Sequence, residues 1–145
     1  MKDLVQRDGL YYKKFTDVPF TGKITGKKQG LFRKGKRHGT WVSYWKNGQL
    51  FDKGAYKNGK KDGPWVGYHD NGQLGYKETH ENGKREGPRV GYHDNGQLRY
   101  KETYKNDKKD GPWVEYYRDG KLRTKGTYKN GKWMKGTYKN GEKIK

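Results

Sequence analysis

Four histidines, His38, His69, His80 and His93, and one serine, Ser43, are the side chains of this sequence best suited to proton transfer or nucleophilic attack. Their spacing works against that use. His69 and His93 lie 24 residues apart in the same surroundings, HDNGQL. If each belongs to a repeat of two strands, about 10 Å separates them, whereas two ligands of one zinc ion each lie about 2.0 to 2.1 Å from the metal. The corresponding position elsewhere holds Trp45 and Tyr117, so it reads as a slot for a planar ring. Asp70 and Asp94 follow the two histidines directly, and adjacent strand residues point to opposite faces, which dissolves the dyad they would offer. Cysteine is absent, so disulfides, thiolate zinc sites and cysteine nucleophiles are excluded. Strings such as KNGKKDG combine glycine with lysine but are followed by no strand-to-helix unit, and so read as turns, not phosphate loops. The expectation is a protein that is not an enzyme, with no catalytic residue, no metal and no cofactor.

Basic and aromatic residues carry more. Lys53, Lys77, Lys101 and Lys125 recur in phase. Clusters at the turns accompany them: Lys57, Lys60 and Lys61; Lys84 and Arg85; Lys105, Lys108 and Lys109; Lys129 and Lys132. Rungs of charge about 10 Å apart, close to one Debye length at 0.1 M salt, act partly together on a polyanion or an anionic membrane. Tyr44, Tyr68, Tyr92 and Tyr116, with Trp41, Trp65 and Trp113, are interleaved among them and could stack on bases or sit at a lipid interface. These residues are the candidate binding set. The plainer reading is that lysine at turns and edges keeps an open sheet soluble, and Asp62, Asp70, Asp94 and Asp110 interrupt the ladder.

The elements that must position these residues come from a repeat. GTWVSYWKNGQL begins at Gly39, GPWVGYHDNGQL at Gly63, GPRVGYHDNGQL at Gly87 and GPWVEYYRDGKL at Gly111, each 24 residues after the last. A second half-unit repeats in the same phase from Lys53, Lys77, Lys101 and Lys125. Short runs rich in Trp, Tyr, Val and Thr alternate with Asn-Gly and Asp-Gly, the dipeptides of tight hairpin turns. With 23 glycines and no sustained 3.6-residue pattern, helices have no place. The fold expected is all-β: an elongated, single-layered, twisted antiparallel sheet of tandem β-hairpins with a 24-residue period. Face assignment depends on turn length. A two-residue turn at Asn47 and Gly48 pairs Trp45 with Leu50 and puts Val42, Tyr44 and Lys53 on the face opposite Trp41, whereas a three-residue loop pairs Tyr44 with Leu50. In either case a stripe of Tyr, Trp and Leu is expected to run unbroken through the units. Residues 1–28 read as an N-terminal capping hairpin segment, 29–134 as the array, and 135–145 as a shortened capping repeat.

Composition agrees with this architecture. A formal charge of +19 and only 19 residues of Leu, Ile, Val and Phe in 145 would ordinarily describe a disordered polymer. The 22 aromatics, set at regular intervals, oppose that. No apolar run reaches the length of a membrane span. MKDLVQRDGLYY has no apolar core of a secretory signal, so the chain is cytoplasmic as written or an exported form already processed.

The units GPWVGYHDNGQL and KGTYKNGK resemble the bacterial variant of the membrane occupation and recognition nexus (MORN) repeat. The likeness rests on Tyr56, Asn58, Gly59, Gly63, Trp65, Tyr68, Asn71, Gly72, Leu74 and their periodic partners, and covers Gln29 to Lys145. It implies an elongated antiparallel sheet of hairpins. Relatives are often labelled antitoxin components, and MORN repeats are variously assigned to lipid binding, dimerisation and scaffolding. This chain departs from the pattern at Glu78, His80, Arg89, Glu102 and Asp107. The functional expectation is a repeat scaffold that binds a protein partner or an anionic phospholipid surface along one extended face. Binding of nucleic acid such as RNA, or of carbohydrate in a cell wall, are the alternatives.

Overall fold

The computed structural model describes residues 2–139 and 141–144. Met1, Asn140 and Lys145, which belong to the two expected caps, lie outside the described residues. Among the described residues there is no helix. β1 (Leu4–Arg7) and β2 (Leu10–Lys13) form a separate hairpin. The other strands build one unclosed antiparallel sheet. It opens with β3 (Gly22–Ile24), β4 (Lys28–Arg33) and β5 (Lys36–Tyr44), and continues through β6 (Leu50–Lys57), β7 (Lys60–Lys61), β8 (Gly63–Tyr68), β9 (Leu74–Glu81), β10 (Lys84–Arg85) and β11 (Gly87–Tyr92). β12 (Leu98–Lys105), β13 (Lys108–Lys109), β14 (Gly111–Tyr116), β15 (Leu122–Lys129), β16 (Lys132–Lys139) and β17 (Glu142–Lys143) complete it.

Two turns alternate. Asn58 and Gly59 both take positive φ, 50° and 80°, the two-residue mirror-image turn that matches strand twist. The other is the three-residue loop: Trp45 N donates to Gln49 O at 2.8 Å, Gly48 N to Trp45 O at 3.1 Å, and Gly48 sits at φ 85°. Tyr44 accordingly pairs with Leu50. A bulge at Phe51 then shifts the register, so that beyond it Val42 faces Lys53 and Trp41 faces Gly54. The turn thus follows the longer loop, and the rest of the strand pair takes the parity of the shorter one.

The ring stripe occupies one face. Phe32, Trp41, Tyr56 and Trp65 stack edge to face in file, with centroids 5.1, 5.8 and 5.3 Å apart, each such pair worth about 0.5–1.5 kcal/mol beyond its buried area. At the far end Trp113, Tyr128 and Trp133 repeat the arrangement at 5.6 and 5.3 Å. Two expectations are corrected here. Leu50 and its counterparts are half-buried at the turn ends, not in the stripe, because the bulge separates them from the rings. The stripe is also broken in the middle, where Glu78, His80, Arg89 and Glu102 stand in place of apolar or glycine positions. At the N-terminal end the β1–β2 hairpin lies against the first rings, with Tyr11 4.8 Å from Phe32, and Leu4, Phe20 and Ile24 packed on the same cluster.

Candidate functional site

Strand alternation puts Trp41, Gly54 and Tyr56 on one face and Val42, Lys53 and Ala55 on the other. On the ring face the Trp41 and Trp65 indoles each lie against a glycine of the preceding strand, whereas the equivalent position under Trp113 is Glu102. A Cβ on Gly30 would fall inside the Trp41 ring, and one on Gly54 inside that of Trp65. The indole nitrogens donate to Leu31 O and Ala55 O at 3.2 Å. A second row of cations covers these rings: Arg37 over Trp41 at 4.8 Å, Lys61 over Trp65 at 4.1 Å, Arg85 over Tyr104 at 4.2 Å and Lys109 over Trp113 at 4.8 Å. In sequence Lys61, Arg85 and Lys109 read as solvent-facing turn charges. Their phase, 24 residues from Arg37 onward on the strand side facing the rings, was the signal that could have placed them.

In the third repeat the indole is replaced by Arg89 and the underlying glycine by Glu78. Arg89 Nε donates to Glu78 at 2.8 Å and Nη1 to Glu102 at 2.7 Å. His80 Nε2 donates to Glu78 at 2.8 Å, Lys109 Nζ to Glu102 at 2.8 Å, and the Tyr104 hydroxyl to Glu102 at 3.2 Å. Burial pushes the Glu78 carboxyl up, but the His80 hydrogen bond and the charge and hydrogen bond of Arg89 outweigh it and hold it below the ordinary carboxylate range. Glu102 is lowered likewise, burial being overcome by Lys109 and Arg89. The nearby Tyr76 hydroxyl is pushed up to about 12, by burial first and then by Asp52 and Glu78. The cluster holds a buried His–Glu pair that sequence reasoning missed, because residues 78 and 80 meet only as alternate residues on one strand face. Ser43 is hydrogen-bonded to Asp52 in another repeat and does not belong to the cluster.

The opposite face carries the lysine ladder. Lys53 pairs with Val42 and Val66, Lys77 with Val66 and Val90, Lys101 with Val90 and Val114, and Lys125 with Val114. All four lysines are exposed, and among the described residues none takes part in an ion pair. Tyr44, Tyr68, Tyr92 and Tyr116 fall on this side by alternation and are half-buried. Trp41, Trp65 and Trp113 are on the other. The structure therefore splits the candidate set in two. Trp41 and Trp65, 4% and 3% exposed, present no free ring to a base or a sugar.

The planar-ring slot joins repeats. Trp45 Nε1 donates to Tyr68 O at 3.0 Å, His69 Nε2 to Tyr92 O at 2.9 Å and His93 Nε2 to Tyr116 O at 3.0 Å. Asn47, Asn71 and Asn95 add a parallel row, their Nδ2 groups donating to Asp70 O, Asp94 O and Arg118 O. The acidic residues are likewise occupied: Asp62, Glu86 and Asp110 accept from the backbone N–H of Asn82, Asn106 and Asn130. The carboxylates that interrupt the charge pattern in sequence, Asp62, Asp70, Asp94 and Asp110, lie outside the strands at these turns, and among the described residues none pairs with the lysine ladder.

The sequence model of the MORN repeat variant matches residues 37–58, 61–82, 85–106 and 109–130, four tandem copies. Comparison with curated proteins gives no match.

Proposed function

The chain belongs to the MORN repeat variant family, and from that premise we propose that it is a scaffold whose valine–lysine face docks a protein partner with an acidic surface. MORN repeats are generally interaction or scaffold modules, non-enzymatic, and mediate protein or membrane-lipid contacts. The observation that carries the reading is the contrast between faces. Cations on the ring face are spent on rings and carboxylates, whereas Lys53, Lys77, Lys101 and Lys125 are exposed and unpaired between valines. Four positive rungs at about 10 Å spacing suit an extended acidic surface, and the valines between them supply apolar contact that a purely solubilising face would not need.

An anionic bilayer is the second reading, favoured by Phe15. It is fully exposed beside Lys13 and Lys14, on a loop braced by the Arg7–Asp17 ion pair at 3.1 Å. One titration separates the two: poly-glutamate against phosphatidylserine vesicles, each at low and high salt, with wild type, Lys77→Glu/Lys101→Glu and Phe15→Ser. The protein-partner reading expects poly-glutamate binding that the double charge reversal weakens and Phe15→Ser leaves alone. Unchanged affinity after the double reversal overturns the ladder in both readings.

A further inference from the structure

In the later repeats a carboxylate caps the next two-residue turn. Asp62 accepts from Asn82 N at 3.3 Å, Glu86 from Asn106 N at 2.8 Å and Asp110 from Asn130 N at 3.2 Å. One repeat earlier, the position of Asp62 is held by His38. Among the described residues no side-chain carboxylate accepts from the backbone N–H of Asn58, the counterpart of Asn82. The place where an anionic oxygen belongs is surrounded by positive charge instead. A cleft of about 640 Å³ lies there, between the N-terminal hairpin and the first repeat, with Arg33, Lys34, Lys36, Arg37, His38 and Asn58 in its lining and Leu10 and Pro19 as an apolar wall. No Asp or Glu lines it, and among the described residues none of its four lysines and arginines is in an ion pair.

The frame of the cleft is fixed. Tyr11 N donates to Gly35 O and Gly35 N to Phe20 O, both at 2.8 Å, and Lys34 N donates to Thr21 Oγ1 at 2.9 Å. Gly35, at φ 74°, is approached so closely that a Cβ would meet Leu10 Cβ and Tyr11 O at 3.0 Å. Arg37 is held by a hydrogen bond to the Tyr56 hydroxyl at 3.0 Å. Its Nε, though buried, has no hydrogen-bond partner. A preformed recess of this size falls in the range of small-molecule sites, about 300–1,000 Å³, more than a single oxyanion fills, and guanidinium and ammonium groups together favour phosphate oxygens.

We propose that this cleft binds a soluble oligophosphate, a ligand with two or more adjacent phosphate groups. One oxygen accepts the Asn58 N–H in place of the missing carboxylate, and Arg33, Lys34 and Lys36 balance the remaining charge, while Arg37 keeps its place over the Trp41 ring. None of Lys53, Lys77, Lys101 and Lys125 lines the cleft, and the proposal does not depend on the function proposed for their face.

The test is calorimetric titration of the full chain with sodium tripolyphosphate, with inorganic phosphate as the single-group control. Saturable one-to-one binding is expected for tripolyphosphate, and much weaker binding for phosphate. His38→Asp restores the cap found in the other repeats. It should raise the melting temperature and weaken tripolyphosphate binding by about tenfold or more, the loss expected for one charge-assisted contact. Lys34→Asn, which keeps a residue tolerant of φ 49°, should weaken binding with little change in melting. Lys77→Glu/Lys101→Glu should leave the affinity as it is. Absence of saturable binding, wild-type affinity in both His38→Asp and Lys34→Asn, or equal loss in Lys77→Glu/Lys101→Glu would overturn the site. Binding only to phosphatidic-acid vesicles, with none to tripolyphosphate, would overturn the soluble ligand.

Discussion

Arg89 stands one repeat on from Trp65, in the same register position, and its guanidinium holds Glu78 at 2.8 Å where the Trp65 ring rests on Gly54. The exchange is a set of three. Gly54, Tyr56 and Trp65 become Glu78, His80 and Arg89, so an aromatic step of the spine is replaced by an ionic one of the same connectivity. Buried ion pairs are often no more stable than the apolar packing they replace, but removing one partner leaves a buried charge and costs about 3–5 kcal/mol. Arg89→Ala is therefore expected to destabilise by that amount in urea denaturation. The quadruple variant Glu78→Gly/His80→Tyr/Arg89→Trp/Glu102→Gly, which rebuilds the neighbouring aromatic step and leaves no carboxylate deprived of Arg89, should return to wild-type stability or exceed it. A quadruple variant as unstable as the single one would show that the two steps are not interchangeable.

The same cluster sets an acid limb. Glu78 and Glu102 are both held below their ordinary value of 4.5 in the fold, so the unfolded chain takes up their protons first as pH falls. Their contribution is complete above pH 4.5 and is lost as pH drops through the lower folded values. Urea midpoints measured across that interval should fall steeply in wild type and less steeply in Glu102→Gln. Parallel slopes would mean that Glu102 is not a contributor.

Asn71 ties its turn to the next repeat through the Nδ2 bond to Asp94 O at 2.7 Å. Asp119 occupies the equivalent position in the last repeat, where it keeps the local bond from Lys121 N at 3.0 Å but has no amide to donate. Asn71→Asp removes one inter-repeat donor and sets a carboxylate against a carbonyl, at an expected cost of about 1 kcal/mol. Asp119→Asn should change thermal stability little. Equal effects at the two positions would contradict the unit-to-unit role.

Much of this was legible in the sequence because the phase never slips. Asn-Gly and Asp-Gly at fixed offsets marked the hairpins, and the shared slot of Trp45, His69, His93 and Tyr117 identified a planar-ring position, whose nitrogen bonds across repeats at Trp45, His69 and His93. The faces were not legible, since the bulge at Phe51 combines a three-residue loop with the parity of a two-residue one, and no residue type announces a bulge. The ionic step was visible only as four separate departures. Glu78 and Glu102 are 24 residues apart, and that Arg89 reaches both follows from its strand lying between theirs. The candidate tryptophans were grouped with the lysines because composition places them in the same segments, whereas alternation sends them to opposite sides.

A last pair of positions is matched repeat by repeat. Gly67 faces Tyr76 and Gly91 faces Tyr100, and in both a Cβ on the glycine would fall inside the opposing ring. Where the first residue has a side chain, the second is small: Ser43 bonds Asp52, and Glu115 faces Thr124. The ring needs the bare backbone, and the polar pair needs the space the ring would fill. Gly67→Ser is expected to destabilise by about 1–3 kcal/mol through overpacking. Adding Tyr76→Asp imports the Ser43–Asp52 arrangement, and the double variant should recover part of the loss, giving a coupling energy of about 0.5–3 kcal/mol in a double-mutant cycle. Additive losses would mean that the two residues are matched by chance and not by contact.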